Sequence, residues 1–282
     1  LQKSITENDE FIVNLTGGTK LMSIGLFNFF VNKDSKIYYI PGGRNIYRQI
    51  YPETSEKENV LNYRTNLKEY LASYGITIHK KSYQKKNNLL KPIEYTNNLF
   101  AKYISENIDF SFLDELRKIR KIQQIEISAL DGLAEFLSSI GFETDEVGFL
   151  SKKEIEYLTG GWFEEYIYKK IENEYNLTEK QDMVGINMHI SNQNIENEFD
   201  IMFVSDNNFH VVECKTGIFD SISHRNITNE ALYKLAALRK DFGLFAKSSF
   251  YTLSEQGKNI DNIKPIYFER AKILGINLID KS

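Results

Sequence analysis

Glu198-Phe199-Asp200-Ile201-Met202-Phe203-Val204-Ser205 and, after Asp206-Asn207-Asn208, Phe209-His210-Val211-Val212-Glu213-Cys214-Lys215 read as two apolar strands joined by a polar hairpin turn. Side chains alternate along a strand, so Glu198, Asp200, Met202 and Val204 are expected on one face and Phe199, Ile201 and Phe203 on the other. Glu213 and Lys215, two residues apart, share a face of the second strand. A carboxylate on such a strand is costly to desolvate, and two side by side repel each other. Mg²⁺ or Mn²⁺ answers both costs by taking carboxylate and water oxygens, while the adjacent Lys215 ammonium orients a water or offsets phosphate charge. Glu-x-Lys alone also describes a surface hairpin with an ordinary ion pair; Asp200 one hairpin upstream, in strands this apolar, favours a site. Cys214 alternates away from both charges and reads as a core thiol. His210 and His224 suit proton transfer on their chemistry alone.

A third carboxylate is expected upstream. Gly160-Gly161-Trp162-Phe163-Glu164-Glu165-Tyr166-Ile167-Tyr168 opens a helix whose apolar residues 162, 163, 166, 167 and 171 follow a 3.6-residue period. Acidic residues in a first turn also serve simply as partners of the helix dipole. Glu164 and Glu165 flank the apolar stripe on opposite sides, and periodicity does not choose between them. The order helix Glu, strand Asp, strand Glu-x-Lys resembles the PD-(D/E)xK nuclease superfamily, whose core is a mixed sheet between helices. That resemblance implies Glu164, Asp200, Glu213 and Lys215 as the catalytic set and Asp200, Glu213 and Glu164 as metal ligands for Mn²⁺ or Mg²⁺, with Glu165 second to Glu164.

Near the start of the chain, Phe11 to Leu15 reads as a strand, Thr16-Gly17-Gly18-Thr19-Lys20 as a loop, and Leu21 to Phe30 as an apolar helix. Strand, glycine turn and helix N-terminus together make a phosphate cradle, because free N–H groups and positive potential converge there. The spacing is not that of a Walker A loop, and a plain tight turn fits the segment as well. Beside the nuclease-like half, Asn14-Leu15-Thr16-Gly17-Gly18-Thr19-Lys20 is similar to the ligand loop of CARF domains, the CRISPR-associated Rossmann-fold sensors of cyclic oligoadenylates. The paired resemblance implies an ancillary nuclease of type III CRISPR defence that binds its activator, cyclic tetra-adenylate foremost, across the two-fold axis of a homodimer and then cuts DNA, RNA or both. It implies Asn14, Thr16, Gly17, Gly18, Thr19 and Lys20 as ligand contacts. A complete CARF domain would place several strands and helices ahead of this loop, yet Asn14 is the fourteenth residue, so an N-terminally incomplete sensor is expected.

The fold class expected is therefore α/β: a Rossmann-like CARF remnant over residues 1–80, a basic linker and helical connector over 81–150, and a PD-(D/E)xK restriction-endonuclease-like domain over 151–282. Within them, Ser35 to Ile40 reads as a strand, Glu56 to Tyr74 as a helix closed by Gly75, and Asn97 to Ile108, Asp114 to Ile127 and Ser128 to Ile140 as helices of the connector. Asn229 to Phe242 reads as an amphipathic helix, and Ile273 to Ile279 as a last strand. Tyr233 and Lys234 are candidate nucleic-acid contacts, although such residues more commonly form a solvated helix face. His79 to Lys91 and Arg117 to Lys121 are the two basic patches, and solvated linker or helix surface is their simplest meaning.

A net charge of −4 argues against a broad constitutive nucleic-acid platform, since nonspecific affinity comes from neutralising phosphates. The single cysteine excludes a disulfide framework and a thiolate zinc site, and makes a cytoplasmic location the simplest expectation. No apolar run spans a bilayer and no membrane partner is expected. Two other classes stay open: a cyclic-nucleotide-sensing regulator with an inactive nuclease-like domain, and a ring nuclease acting at the Thr16 to Lys20 loop. An intact Asp, Glu-x-Lys set speaks against the first, and the lack of a general base beside the loop against the second.

Overall fold

A computed structural model describes residues 9–55, 58–80, 89–105, 111–177, 182–192, 195–216, 227–253 and 265–280. It divides into two compact units, Leu1–Thr65 with Asp206–Asn208, and Asn66–Ser205 with Phe209–Ser282.

The first unit is built from β1 (Phe11–Asn14), α1 (Lys20–Phe30), β2 (Ser35–Tyr39), β3 (Ile46–Tyr51) and β4 (Asn59–Val60), with its strands ordered β1-β2-β3-β4. β1 and β2 run parallel, which requires a crossover, and α1 supplies it. Thr19 caps α1, its hydroxyl accepting the N–H of Met22 at 3.3 Å. Val13, Phe30 and Ile37 form the buried centre, with Phe11, Leu26 and Phe27 packed around them.

The second unit begins with α2 (Leu67–Ser73) and β5 (Thr77–Ile78). Of the helix expected over Glu56 to Tyr74, Leu67–Ser73 is the helical part among the described residues. Asn66 starts it through a capping box, accepting the Glu69 N–H at 2.9 Å while Glu69 accepts the Asn66 N–H at 3.1 Å, and Asn59 and Val60 pair with β3 instead. Residues 66–80, read from the sequence as the end of the sensor, pack with the second unit. Leu67, Leu71 and Ile76 lie in its core and β5 joins its sheet. Next come α3 (Ile93–Ser105), α4 (Ser111–Lys118), β6 (Gln124–Glu126), α5 (Leu133–Ser139), β7 (Phe149–Ser151), α6 (Lys152–Glu156) and α7 (Trp162–Glu174). The helix expected over Asp114 to Ile127 stops at Lys118, because Gln124 to Glu126 pair antiparallel with β7. Within Ser128 to Ile140 only Leu133–Ser139 is α-helical, after a tight 3₁₀ turn and Gly132 at φ 77°.

The remaining elements are β8 (Val184–Asn192), β9 (Ile195–Ser205), β10 (Asn208–Lys215), α8 (Ile227–Leu238), β11 (Lys247–Thr252), α9 (Pro265–Leu274) and β12 (Ile276–Asp280). They make a sheet ordered β12-β11-β10-β9-β8-β5, in which β8 and β9 are antiparallel and β10, β11 and β12 parallel. Asp206 and Asn207 link β9 to β10 with φ of 49° and 60°, the positive pair that a tight two-residue hairpin needs. One face of the sheet is covered by α3 to α7, the other by α2, α8 and α9. Among the described residues no helix is long and apolar enough to cross a membrane.

Strand alternation does not survive intact along β9. Ile201 and Phe203 pack beneath α7 as expected, but Phe199 joins Met202 and Val204 in the opposite core. The facing strand shows the same exchange, with Ile186 in the first core and Met188 in the second, around Asn187 at φ 51°. This turn-over of the strands falls opposite Asp200, which leaves that carboxylate where the two layers meet.

The connector expected over 81–150 shares its core with α7, and an internal salt bridge fixes it there. Lys91 Nζ donates to Glu154 Oε1 at 2.8 Å and to Asp145 Oδ1 at 2.9 Å, while Glu154, wholly buried at the start of α6, also accepts the Ser151 and Asp145 N–H groups. Burial opposes ionisation of Glu154, but Lys91 and these N–H groups overcome it and hold its pKa below the usual value. A depressed carboxylate stabilises the fold above its unfolded pKa and loses that contribution as pH falls. Lys91→Ala therefore leaves a buried uncompensated charge and should cost about 3–5 kcal/mol at pH 7. Denaturant titration at pH 7 and pH 4 checks this: the deficit should shrink at pH 4, and an unchanged midpoint at pH 7 would show that the pair is not holding the fold.

Candidate functional site

α7 is anchored by Trp162, Phe163, Ile167, Tyr168 and Ile171, all buried against β8 to β11. Each such side chain contributes about 1.5–3 kcal/mol by leaving water. That anchoring fixes the rotation of the helix, and the rotation separates its two glutamates. Glu165 turns toward the end of the basic segment His79 to Lys91, where its Oε1 accepts the Leu90 N–H at 2.6 Å and its Oε2 is buried with no hydrogen bond among the described residues. Burial lifts its pKa to about 7, against the effect of that N–H. Glu164 instead lies in the field of Asp200, Glu213 and Lys215, and burial first, then the Asp200 charge, lifts it to about 8.

The strands bring the other members together. Asp200 Oδ2 accepts the Cys214 N–H at 2.6 Å and lies 3.3 Å from Lys215 Nζ. Lys215 Nζ also reaches Glu213 Oε1 at 2.8 Å, so one ammonium bridges two carboxylates. Burial works against the lysine charge, but Asp200 and Glu213 outweigh it and raise its pKa. Asp200 is shifted up to about 6, by burial first and Glu213 second. Three largely covered carboxylates gather around one ammonium, and their donors are all oxygens. That donor set suits Mg²⁺ or Mn²⁺. Among the described residues no three His, Cys, Asp or Glu side chains form a ready ligand shell, the carboxylates being turned toward ammonium groups instead.

One of those ammonium groups comes from α8. Lys234 Nζ bonds Glu213 Oε2 at 3.0 Å and the Glu198 carbonyl at 3.3 Å, above the Phe199 ring. Lys234 thus faces the acidic cluster from the sheet side opposite α7, a role that the helix period alone did not distinguish from a solvated face. Its neighbour Tyr233 is 56% exposed, with the Arg270 guanidinium over its ring. Glu198 is exposed beside His189 and gives its carbonyl to Lys234. Cys214 is a buried free thiol, as expected. His210 lies on the other face of β10 from Glu213, stacked on Phe203, and burial lowers its pKa to about 4. It lines a cavity of about 440 Å³ with Tyr175, Arg239, Lys247 and Asn277, at the end of the strands remote from Lys215. His224 lies outside the described residues.

In the first unit the expected ligand residues form an exposed loop at the N-terminus of α1. Asn14 Oδ1 accepts the Thr16 N–H at 2.9 Å, Thr16 Oγ1 accepts the Ile40 N–H at 2.7 Å, and Ser23 Oγ donates to the Leu15 carbonyl at 3.2 Å. These bonds brace both sides of Gly17 and Gly18. Gly18 sits at φ 87°, where a side chain would be strained, and Lys20 opens the helix.

Residues 151–282 match the family model of the Card1-like endonuclease domain, and residues 1–70 that of the Card1 CARF domain. The chain therefore joins a CARF domain to a nuclease domain in one α/β protein. In fold it is similar to Can2 from Sulfobacillus thermosulfidooxidans, solved in complex with cyclic tetra-adenylate, at 23% identity over 96% of this chain and 71% of that one, with a TM-score of 0.67. It is similar also to protein VC1899 from Vibrio cholerae, at 19% identity over the same shares, with a TM-score of 0.69. No curated protein matches it by sequence.

The two helix glutamates should separate experimentally. Glu164→Gln should abolish cleavage of nucleic acid, and Glu165→Gln should retain it. Because burial raises the Glu165 pKa to about 7, its contribution turns unfavourable as pH rises from the ordinary carboxylate value and is fully so above pH 7, and Glu165→Gln should stabilise the protein at pH 8 by about 1–3 kcal/mol. That gain should fade toward pH 5, where Glu165 is already protonated. Melting curves at both pH values and a cleavage assay on both variants check the assignment, and the reverse pattern of activity would exchange the two roles.

Proposed function

We propose that the chain is a divalent-metal-dependent nuclease of the PD-(D/E)xK type, switched on by a cyclic oligoadenylate in type III CRISPR defence. The observation that carries this reading is the largely covered set of Glu164, Asp200 and Glu213 around Lys215. Asp200 and Glu213 hold Mn²⁺ or Mg²⁺ directly in this reading, and Glu164 completes the shell. The ion's contribution is Lewis-acid charge on the scissile phosphate of DNA, RNA or both.

Before a cation binds, Asp200 and Glu213 keep the Lys215 ammonium charged against the effect of burial. Its part is to orient the attacking water and to offset the charge that develops on the phosphate. The Cys214 N–H, donated to Asp200 Oδ2, fixes that carboxylate without adding a titrating group. Lys234 holds the second oxygen of Glu213, so it must yield that oxygen or share it when a cation binds. Asn14, Thr16 to Thr19 and Lys20 offer a braced loop and a helix N-terminus to phosphates of the cyclic activator, cyclic tetra-adenylate being the first to test, in a homodimer.

Nicking of plasmid DNA and cutting of single-stranded DNA and RNA, with Mn²⁺ and with or without cyclic tetra-adenylate, tests the reading. Cleavage should depend on the activator, and Glu213→Ala or Lys215→Ala should lower it by about a hundredfold or more. Equal rates with and without activator would remove the switch, and full activity in both variants would move the site elsewhere.

Metal affinity supplies a second check. Glu164 and Asp200 have raised pKa values, so cation binding must displace protons. Titration calorimetry with Mn²⁺ should show tighter binding at pH 8.5 than at pH 6 and proton release into the buffer; pH-independent affinity would count against these ligands.

A further inference from the structure

Arg117 and Arg120 belong to the basic patch at the end of α4, and their side chains reach Thr216 beside Lys215 and Thr159 before α7. Arg117 Nη1 bonds Asp114 Oδ1 at 2.6 Å, and its Nη2 reaches Thr216 Oγ1 at 3.4 Å. Thr216 follows Lys215 directly, and its carbonyl accepts the Tyr103 hydroxyl at 3.0 Å, so α3 and α4 are both fastened to the end of β10 that carries the site. Arg120 Nε donates to Thr159 Oγ1 at 2.6 Å, and its Nη2 to the Thr159 carbonyl. Thr159 lies in the turn that delivers Glu164. A Cβ at Gly160 would stand 3.3 Å from Arg120 Nη2, so the glycine leaves room for the guanidinium. The charges of Glu164 and of Arg117 both act on Arg120, which places all three in one neighbourhood.

The two like charges repel, while Asp114 pairs with Arg117 and Thr159 holds Arg120. Glu213 and Asp200 already have Lys215 and Lys234 as partners, and neither arginine bonds any of the three site carboxylates. A diester phosphate is the anion whose geometry a guanidinium fork matches through two parallel N–H bonds. We propose that Arg117 and Arg120 form a phosphate-binding wall of the nuclease groove, holding a backbone phosphate of the nucleic-acid strand beside the one that is cut. The wall deepens the nuclease reading and rests on it for the identity of the strand. It also gives the helical middle of the chain a function, as one side of the substrate groove.

Binding can be read without cleavage, on the full chain with cyclic tetra-adenylate and Ca²⁺, by fluorescence anisotropy of single-stranded DNA and RNA oligonucleotides between 50 and roughly 200 mM salt. Arg117→Gln keeps a polar side chain beside Asp114 and Thr216 but removes the charge. It should weaken binding by about five- to tenfold and lower the slope of log affinity against log salt by about 0.7 to 1. Arg117→Lys should restore the slope without the full affinity, because the charge returns but the fork does not. Lys118→Ala, on the exposed neighbour that pairs with Glu115, should change neither quantity. Wild-type affinity and slope in Arg117→Gln would overturn the wall, as would an equal loss in Lys118→Ala or no binding by the wild-type chain. If Arg117→Gln does not fold, a Lys118-like, unchanged result for Arg117→Lys overturns it, and reduced affinity at an unchanged slope supports it. A wild-type chain that binds with this dependence on Arg117 but never cuts with Mn²⁺ would keep the wall and remove the nuclease reading; one that cuts while ignoring Arg117 would do the opposite.

Discussion

The ammonium of Lys215, 3.3 Å from Asp200 and 2.8 Å from Glu213, is the contact on which the second unit is organised. Two carboxylates held this close in a covered place would otherwise protonate or move apart, since removing either charge from water is costly. The surrounding structure removes both options. Cys214 donates its backbone N–H to Asp200, the apolar side chains of β9 and β10 fix the register, and α7 and α8 close over the two faces of the sheet. Glu164 then adds a third acidic group from above, and Lys234 a second ammonium from below.

That arrangement explains why a site stands at this place in the sheet. Strands β8 and β9 change faces around Asn187 and Asp200, so the row of apolar side chains passes from one core to the other. At the crossing neither core covers the side chain completely. Asp200 is therefore held by protein groups without being wholly enclosed, unlike a carboxylate in the middle of either apolar layer. The helical middle of the chain serves the same place from a distance. Lys91 and Glu154 lock it to α6, while Tyr103, Arg117 and Arg120 bring it up to the end of β10 and to the turn before α7.

Much of this was legible in particular residues. The β9–β10 hairpin, the thiol turned away from the charges, the strand, glycine loop and helix at the start of the first unit and the apolar stripe of α7 all follow from local periodicity and turn chemistry. The misreadings have local causes as well. Residues 56–66 have a composition that tolerates a helix, yet the capping box at Asn66 begins it late. Gln124 to Glu126 continue a helical pattern on paper, but Phe149 to Ser151 offer them a strand partner 25 residues away. Phe199 obeys alternation in the sequence and leaves it in the fold, because the left-handed turn at Asn187 belongs to the neighbouring strand.

By itself the sequence determined which residue types share one face of one element: Glu213 with Lys215 on a strand, Thr16 to Lys20 at a helix start, Glu164 and Glu165 on either side of a stripe. Those relations depend on covalent spacing and on periods of two and 3.6 residues, which one segment contains in full. The tertiary structure decided which of the two glutamates faces Asp200, that Lys234 spans to Glu213, and that Arg117 and Arg120 stand beside the site. Each of those outcomes depends on how a helix is rotated and docked, and docking is fixed by packing among residues far apart in the chain. No period within a single segment carries that information.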